Sequence, residues 1–203
     1  MSVQRPKMLN ERQGSTRAEK AFSAICTVLL VVLVAVALFN LWFVNNYFIV
    51  QVDGDSMNDT FLNGGLLYTR QGNGSARRGE VVIVDVKEYA AFPGTERIIK
   101  RLIAVEGDSV KWEEGVVYLK KAGGEYEPLN EPYAKGQTDY FSEVTVGEGE
   151  IFVLGDNRGN SKDSSKVGCL EFKDTIGVVP DWAIDIKDFS TWWEKDKGSF
   201  NTQ

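Results

Sequence analysis

From Ala21 to Val52 the chain carries no charged side chain, and from Ala21 to Val44 it is almost wholly apolar. As an α-helix that apolar run rises about 36 Å at roughly 1.5 Å per residue, enough to cross a hydrocarbon core of about 30 Å. A buried core helix and a cleavable signal peptide are the competing readings. The run is too long for a signal peptide's apolar region, and no small-x-small cleavage site follows closely. The segment reads best as an uncleaved membrane anchor. Before it, Arg5, Lys7, Arg12, Arg17 and Lys20 outnumber Glu11 and Glu19, in a chain whose net charge is -6. The positive-inside rule then keeps residues 1–20 cytoplasmic, makes 21–44 the single membrane pass, and puts 45–203 outside. Trp42, Phe43, Tyr47 and Phe48 fall where an interfacial aromatic belt belongs.

Beyond the anchor the pattern becomes short Val- and Ile-rich runs divided by Gly, Asn and Asp clusters, which reads as strands. The expected strands are Tyr47–Asp53, Leu66–Arg70, Glu80–Val86, Arg97–Val105, Ser109–Glu113, Val116–Lys120, Ile151–Leu154 and Trp182–Ile186. Ser109–Lys120 reads as a hairpin turning at Glu113-Glu114-Gly115. Residues 70–79 and 121–142 read as exposed loops, and no long amphipathic helix follows residue 50. From Lys187 the chain is polar apart from Phe189, Trp192, Trp193 and Phe200, and reads as a frayed tail or a membrane-surface contact. The expected fold is mostly β, an antiparallel domain behind one N-terminal transmembrane helix.

The chain has no histidine. That excludes Ser-His-Asp and Cys-His catalysis and every His-ligated metal site. Any nucleophile must take its base from Lys, Asp, Glu or Tyr. The net negative charge argues against nucleic acid as the main partner. Cys26 lies in the apolar segment and Cys169 far from it, so no disulfide between them is expected.

Three segments could carry chemistry. Val52-Asp53-Gly54-Asp55-Ser56-Met57-Asn58-Asp59-Thr60 follows a strand and begins a turn, where a serine is ordinarily a loop residue. In Arg97–Val105, alternation puts Lys100 on a face with Ile98, Leu102 and Ala104, and Arg101 on the other with Ile99, Ile103 and Val105. Both faces are otherwise apolar. Either these side chains snorkel to water from an edge strand, or desolvation lowers the lysine pKa and leaves an amine able to act as a base. The third segment is Gly155-Asp156-Asn157-Arg158-Gly159-Asn160-Ser161-Lys162-Asp163-Ser164-Ser165. It fails the EF-hand spacing at Arg158 and is otherwise compatible with an Asx-rich turn.

Taken together, Gly-Asp-Ser-Met, Lys-Arg followed by Gly107-Asp108, and Gly-Asp-Asn-Arg-x-x-Ser-x-Asp-Ser stand in the order and spacing of the type I signal peptidases. The chain resembles the short, single-anchor bacterial members of that family over residues 20–180. The resemblance implies a Ser/Lys serine protease, with Ser56 as nucleophile and Lys100 as general base. Ser161 would hydrogen-bond and orient the lysine amine, and Asp163 would support the site. Gly155, Asp156, Asn157 and Arg158 would shape its wall, beside Met57 and Arg101. Gly54 stands where part of the family has a hydroxyl that assists the oxyanion. Asp59 and Glu106 replace usual prolines, Ser165 replaces a usual arginine, and Val179–Trp182 departs from the usual ending. The implied substrates are exported preproteins carrying signal peptides, cut after small residues at the outer face of the plasma membrane. The implied partners are those preproteins and the lipid bilayer, with no cofactor, metal or nucleic acid. A specialised protease for one pilin or surface-protein precursor, and a non-catalytic assembly factor, are the alternative readings.

Overall fold

The computed structural model describes residues 16–58, 60–72 and 76–184. Helix α1 runs Arg17–Asn46, and its mean hydropathy over 18 residues reaches 2.9, long and apolar enough to cross a membrane. It starts where Thr16 and Glu19 form a reciprocal cap. The Thr16 amide donates to Glu19 Oε2 at 2.7 Å, and the Glu19 amide to Thr16 Oγ1 at 3.3 Å. Two of the first-turn donors that a helix leaves unpaired are thereby satisfied. The few polar groups within it bond back to their own helix. Thr27 donates to the Ser23 carbonyl and Asn40 to that of Val36, each at 2.8 Å. Such internal pairing is what an apolar solvent demands.

The second compact unit begins at Asn46. Its strands are β1 Tyr47–Gln51, β2 Leu66–Gln71, β3 Val81–Asp85, β4 Arg97–Val105, β5 Ser109–Glu113, β6 Val116–Lys120, β7 Tyr126–Pro128, β8 Val144–Thr145, β9 Glu150–Leu154, β10 Leu170–Glu171 and β11 Thr175–Val179. They form a seven-stranded sheet in the order β1-β2-β11-β3-β4-β9-β10 and a four-stranded sheet in the order β7-β6-β5-β8, with every ladder antiparallel. The fold is the mostly β architecture expected. The hairpin at residues 109–120 also forms, turning through Glu114 and Gly115, both at positive φ.

The departures from expectation are instructive. Residues 181–184 are helical, so the strand expected from Trp182 is not formed, and its last two residues lie outside the described set. The tail from Lys187 and Asp59 lie there too. Tyr47 and Phe48 open strand β1. β7 interrupts the region read as a loop. The strand missed at greatest cost is β11, which lies between β2 and β3 in the middle of the large sheet. Its five residues show no alternation, and Gly177 interrupts them. That glycine is needed, because a Cβ there would come within 2.4 Å of Thr69 and 2.9 Å of Phe48.

β3 and β4 make the floor of the domain. Val81, Val82, Ile83 and Val84 are all fully buried, as befits a strand covered on both faces. β4 lies between β3 and β9, and its register with β9 shifts between Leu102 and Ala104. Ile103 and Ala104 therefore pack in the same apolar cluster, with Phe152 and Val110, while Ile98 and Leu102 pack with Val82 and Val153. Strict alternation placed Ala104 with Lys100; the bulge removes it from that face.

Candidate active site

A loop stapled at both ends carries Ser56 beyond β1. The Val52 amide donates to the Gly65 carbonyl and the Gly64 amide to the Val52 carbonyl, each at 2.8 Å. The Gly54 amide donates to Asn63 Oδ1 at 3.2 Å, and Gly54 itself sits at φ 92, a conformation that favours glycine. Met57 and Phe61 are each 1% exposed and anchor the loop in an apolar cluster with Val52, Leu67, Val81 and Val179. With its neighbour pinned inside, Ser56 is left half-buried at the surface of a groove of about 510 Å³. Ile49, Gln51, Phe92, Ile98 and Lys100 also line that groove.

Lys100 reaches the same point from β4. Its residue is 3% exposed, and its Nζ lies 2.6 Å from Ser56 Oγ and 2.9 Å from the Ile99 carbonyl. Burial lowers its pKa from 10.5 to about 8, and the charges of Asp163 and Asp156 oppose that shift without cancelling it. Of the two readings open to this lysine, snorkelling to water is ruled out.

Arg101, the next residue, is buried on the opposite side. Its guanidinium grips Asp156 twice, at 2.8 and 2.5 Å, and donates to the Gly79 carbonyl at 2.7 Å. Asp156 is fully buried and accepts a further bond from Thr60 Oγ1 at 2.6 Å.

The segment Gly155–Arg158 lies directly against the serine loop. The Asn157 amide donates to the Ser56 carbonyl at 3.0 Å, and its side-chain amide to the Asp55 carbonyl at 3.0 Å. The Asp156 amide points at Met57 Sδ, 3.4 Å away. Arg158 donates through Nε to the Gly155 carbonyl at 3.0 Å.

Asp163 is 2% exposed and ties this turn down from behind. It accepts from the Gly155 amide at 2.8 Å, and caps the short helix α2 (Ser164–Val167) by accepting from the Ser165 amide at 3.1 Å. Ser165 Oγ donates to it as well, at 2.7 Å. The serine thus supplies a local partner for Asp163 where an arginine was expected. Glu106, at another departure from the expected pattern, accepts from the Gly149 amide at 3.1 Å.

Ser161 differs from its expected role. Its Oγ is buried but forms no hydrogen bond, to Lys100 or to any other described residue. It abuts Gly155, where an added Cβ would meet Ser161 Oγ at 2.2 Å and the Ser56 carbonyl oxygen at 2.6 Å. The other expected site residues converge as described. Sequence reasoning missed Glu131 and Tyr133, in the stretch read as an exposed loop. Glu131 holds Arg158 at 2.7 and 2.5 Å, and the Tyr133 ring covers Arg101 at 3.7 Å. No short-range signal marks them, because their partners, Arg101 in β4 and Arg158 in the turn after β9, are distant in sequence.

The family model for signal peptidase, peptidase S26, matches residues 22–182. The signal peptidase I of Bacillus licheniformis is 34% identical over 137 residues, covering 63% of this chain and 71% of that one. The signal peptidase I of Bacillus caldolyticus is 29% identical over 188 residues, covering 85% of this chain and 92% of that one. A crystal structure of a signal peptidase I from Enterococcus faecalis aligns with a TM-score of 0.41 and 24% identity, over 52% of this chain and 97% of that one.

Proposed function

The chain belongs to the S26 family of signal peptidases, serine endopeptidases acting on preproteins that carry signal peptides, and on that premise we propose that Ser56 and Lys100 are its nucleophile and general base, held at the outer face of a membrane by α1. The observation that carries this reading is the 2.6 Å approach of a buried, deprotonatable Lys100 Nζ to Ser56 Oγ. Neutral Lys100 takes the hydroxyl proton as Ser56 attacks the scissile carbonyl, and the ammonium so formed protonates the leaving amine. Lys100 then draws a proton from water to release the acyl group. The oxyanion needs preorganised donors. The Ser56 amide, which is donated to no acceptor among the described residues, is well placed to be the first. Gly54 offers no side-chain donor, and its amide is already given to Asn63.

Membrane attachment has support beyond α1. Ile49, Leu62, Leu66, Tyr68 and Trp182 are exposed on the domain, with the rings of Tyr47 and Tyr68 each 5.8 Å from that of Trp182. A surface of this kind suits contact with a lipid interface. An enzyme held there meets membrane-held substrates at raised effective concentration.

Two results test the reading. Full-length chain in lipid vesicles is expected to cut several unrelated preproteins after the second alanine of an Ala-x-Ala site, located by sequencing the new N-terminus. Intact preproteins would refute it, and cutting of a single one would favour the dedicated protease. The pH profile is the second. The base works only when neutral, so kcat/KM should rise about tenfold per pH unit at acid pH and level off near pH 8. A flat profile between pH 6 and 9 would remove Lys100 as the base.

A further inference from the structure

The loop after β7 crosses from the small sheet to the back of the site. It is fixed to the small sheet at both ends: the Leu129 amide donates to the Val117 carbonyl at 2.9 Å, and Trp112 Nε1 to the Thr138 carbonyl at 2.9 Å. Between these points it pairs with the wall of the site. The Lys135 amide donates to the Asp156 carbonyl and the Arg158 amide to the Lys135 carbonyl, each at 2.8 Å. Its side chains then grip both buried arginines. Glu131 holds the Arg158 fork, whose Nε in turn holds the Gly155 carbonyl. The Arg101 guanidinium carbon lies over the Tyr133 ring, 3.7 Å from its centroid, and the Tyr133 hydroxyl donates to Glu131 at 3.1 Å.

We propose that Glu131 and Tyr133 are positioning residues for the reaction at Ser56, acting through Arg158 and Arg101. The proposal rests on the reading of Ser56 and Lys100 given above. Glu131 acts along the path Arg158, Gly155, Ser56. Gly155 has no slack against the Ser56 carbonyl, so a turn that drifts carries the serine with it.

Tyr133 acts on charge. Burial, together with the neighbouring Glu131, raises its phenol well above the ordinary value, so the hydroxyl stays protonated and remains a donor. Its ring closes the outer face of Arg101, a stacking suited to a guanidinium. Arg101 in turn neutralises Asp156. The charges acting on Lys100 are Asp163, at the cap of α2, and Asp156, in the turn after β9. Opposite on β3 stand only Val82 and its apolar neighbours, and Ser56 approaches from the loop after β1. A guanidinium freed from Tyr133 neutralises Asp156 less well, and Lys100 then keeps its proton to higher pH.

The test uses full-length chain in vesicles and a preprotein substrate, comparing Tyr133→Leu, Tyr133→Phe and Glu131→Gln for kcat, KM, pH profile and melting temperature. Tyr133→Leu is expected to lower kcat at pH 7 about tenfold or more and to move the acid limb upward by about half a pH unit, with KM within about twofold. Tyr133→Phe, which keeps the ring, should recover most of that loss. Glu131→Gln should lower kcat about tenfold at little change in KM. An unmoved acid limb in Tyr133→Leu, or losses that merely follow the unfolded fraction, would overturn the proposal. Should Tyr133→Leu melt below the assay temperature, the near-isosteric Glu131→Gln decides it, and kcat within twofold of wild type is then the refuting result. A wild-type chain that fails to cut, or a Ser56→Ala chain that cuts, refutes the site assignment itself and is distinguishable from these outcomes.

Discussion

Replacing Lys100 with methionine is expected to cut turnover about a thousandfold or more, while the domain melts no lower than the wild type. Methionine fills nearly the same space but carries no amine. Ser56 Oγ would lose the partner 2.6 Å away and keep a proton that nothing nearby can take. Ser56→Ala should cost as much, and the double variant no more than either, because the two groups act as a unit. The stability half of the prediction follows from the sign of the pKa shift. A folded chain whose lysine has fallen from 10.5 to about 8 binds that proton less tightly than the unfolded chain does. Burial of Lys100 therefore costs stability in full below pH 8, and the cost is relieved as pH rises from about 8 towards 10.5. Methionine removes it at every pH. Single-turnover cleavage and thermal unfolding at pH 7 and pH 9.5 check both halves. Turnover within tenfold of wild type would end the general-base assignment, and a sharp drop in melting temperature would show that Lys100 also supports the fold.

Gly155→Ala is the second substitution with a large expected effect, although it adds only one methyl group. Its Cβ would arrive 2.2 Å from Ser161 Oγ, 2.6 Å from Ser161 Cβ and 2.6 Å from the Ser56 carbonyl oxygen. Ser161 cannot clear the space alone, because the third contact is backbone. The turn or the serine loop must move, and two bonds that seat the loop are at stake: Gly155 N–H to Asp163, and Asn157 N–H to the Ser56 carbonyl. Overpacking of this kind costs about 1–3 kcal/mol of stability. A displacement of Ser56 by about 1 Å costs on the order of a hundredfold in kcat. Gly54→Ala is a useful contrast. That position has no atom within 4 Å of an added Cβ and is constrained only by its positive φ, so it should lose stability without a comparable steric blow to the site. Near-normal kcat in Gly155→Ala would mean that the turn and the serine loop are less rigidly coupled than the contacts indicate.

The anchor and the strands β1–β6 and β9 were legible because each announces itself locally, through a charge-free run or a Val- and Ile-rich segment bounded by turn residues. β7, β8, β10 and β11 were not. The first three are two or three residues long, and β11 is broken by a glycine whose necessity lies in Thr69 and Phe48, contacts no window along the chain contains. The site divides in the same way. The three motifs carrying Ser56, Lys100 and Asp163 stood out by resemblance. The strap carrying Glu131 and Tyr133 did not, since its meaning depends on arginines in β4 and in the turn after β9. The orienting bond expected of Ser161 is missing, and its hydroxyl abuts Gly155 instead.

The missing histidine limited any serine chemistry to a base such as lysine, and the paired apolar faces of residues 97–105 required that a charged side chain meet apolar surface. Those are properties of composition and period, and the sequence by itself determined them. Which partner each of Lys100 and Arg101 would meet was decided only by the sheet. Its order places β4 between β3 and β9, so that Lys100 meets a serine 44 residues away while Arg101 is neutralised by an aspartate 55 residues away. Both side chains are buried, but only one is left without a carboxylate bonded to it. That difference in partner separates a guanidinium held in an ion pair from an amine that can give up its proton.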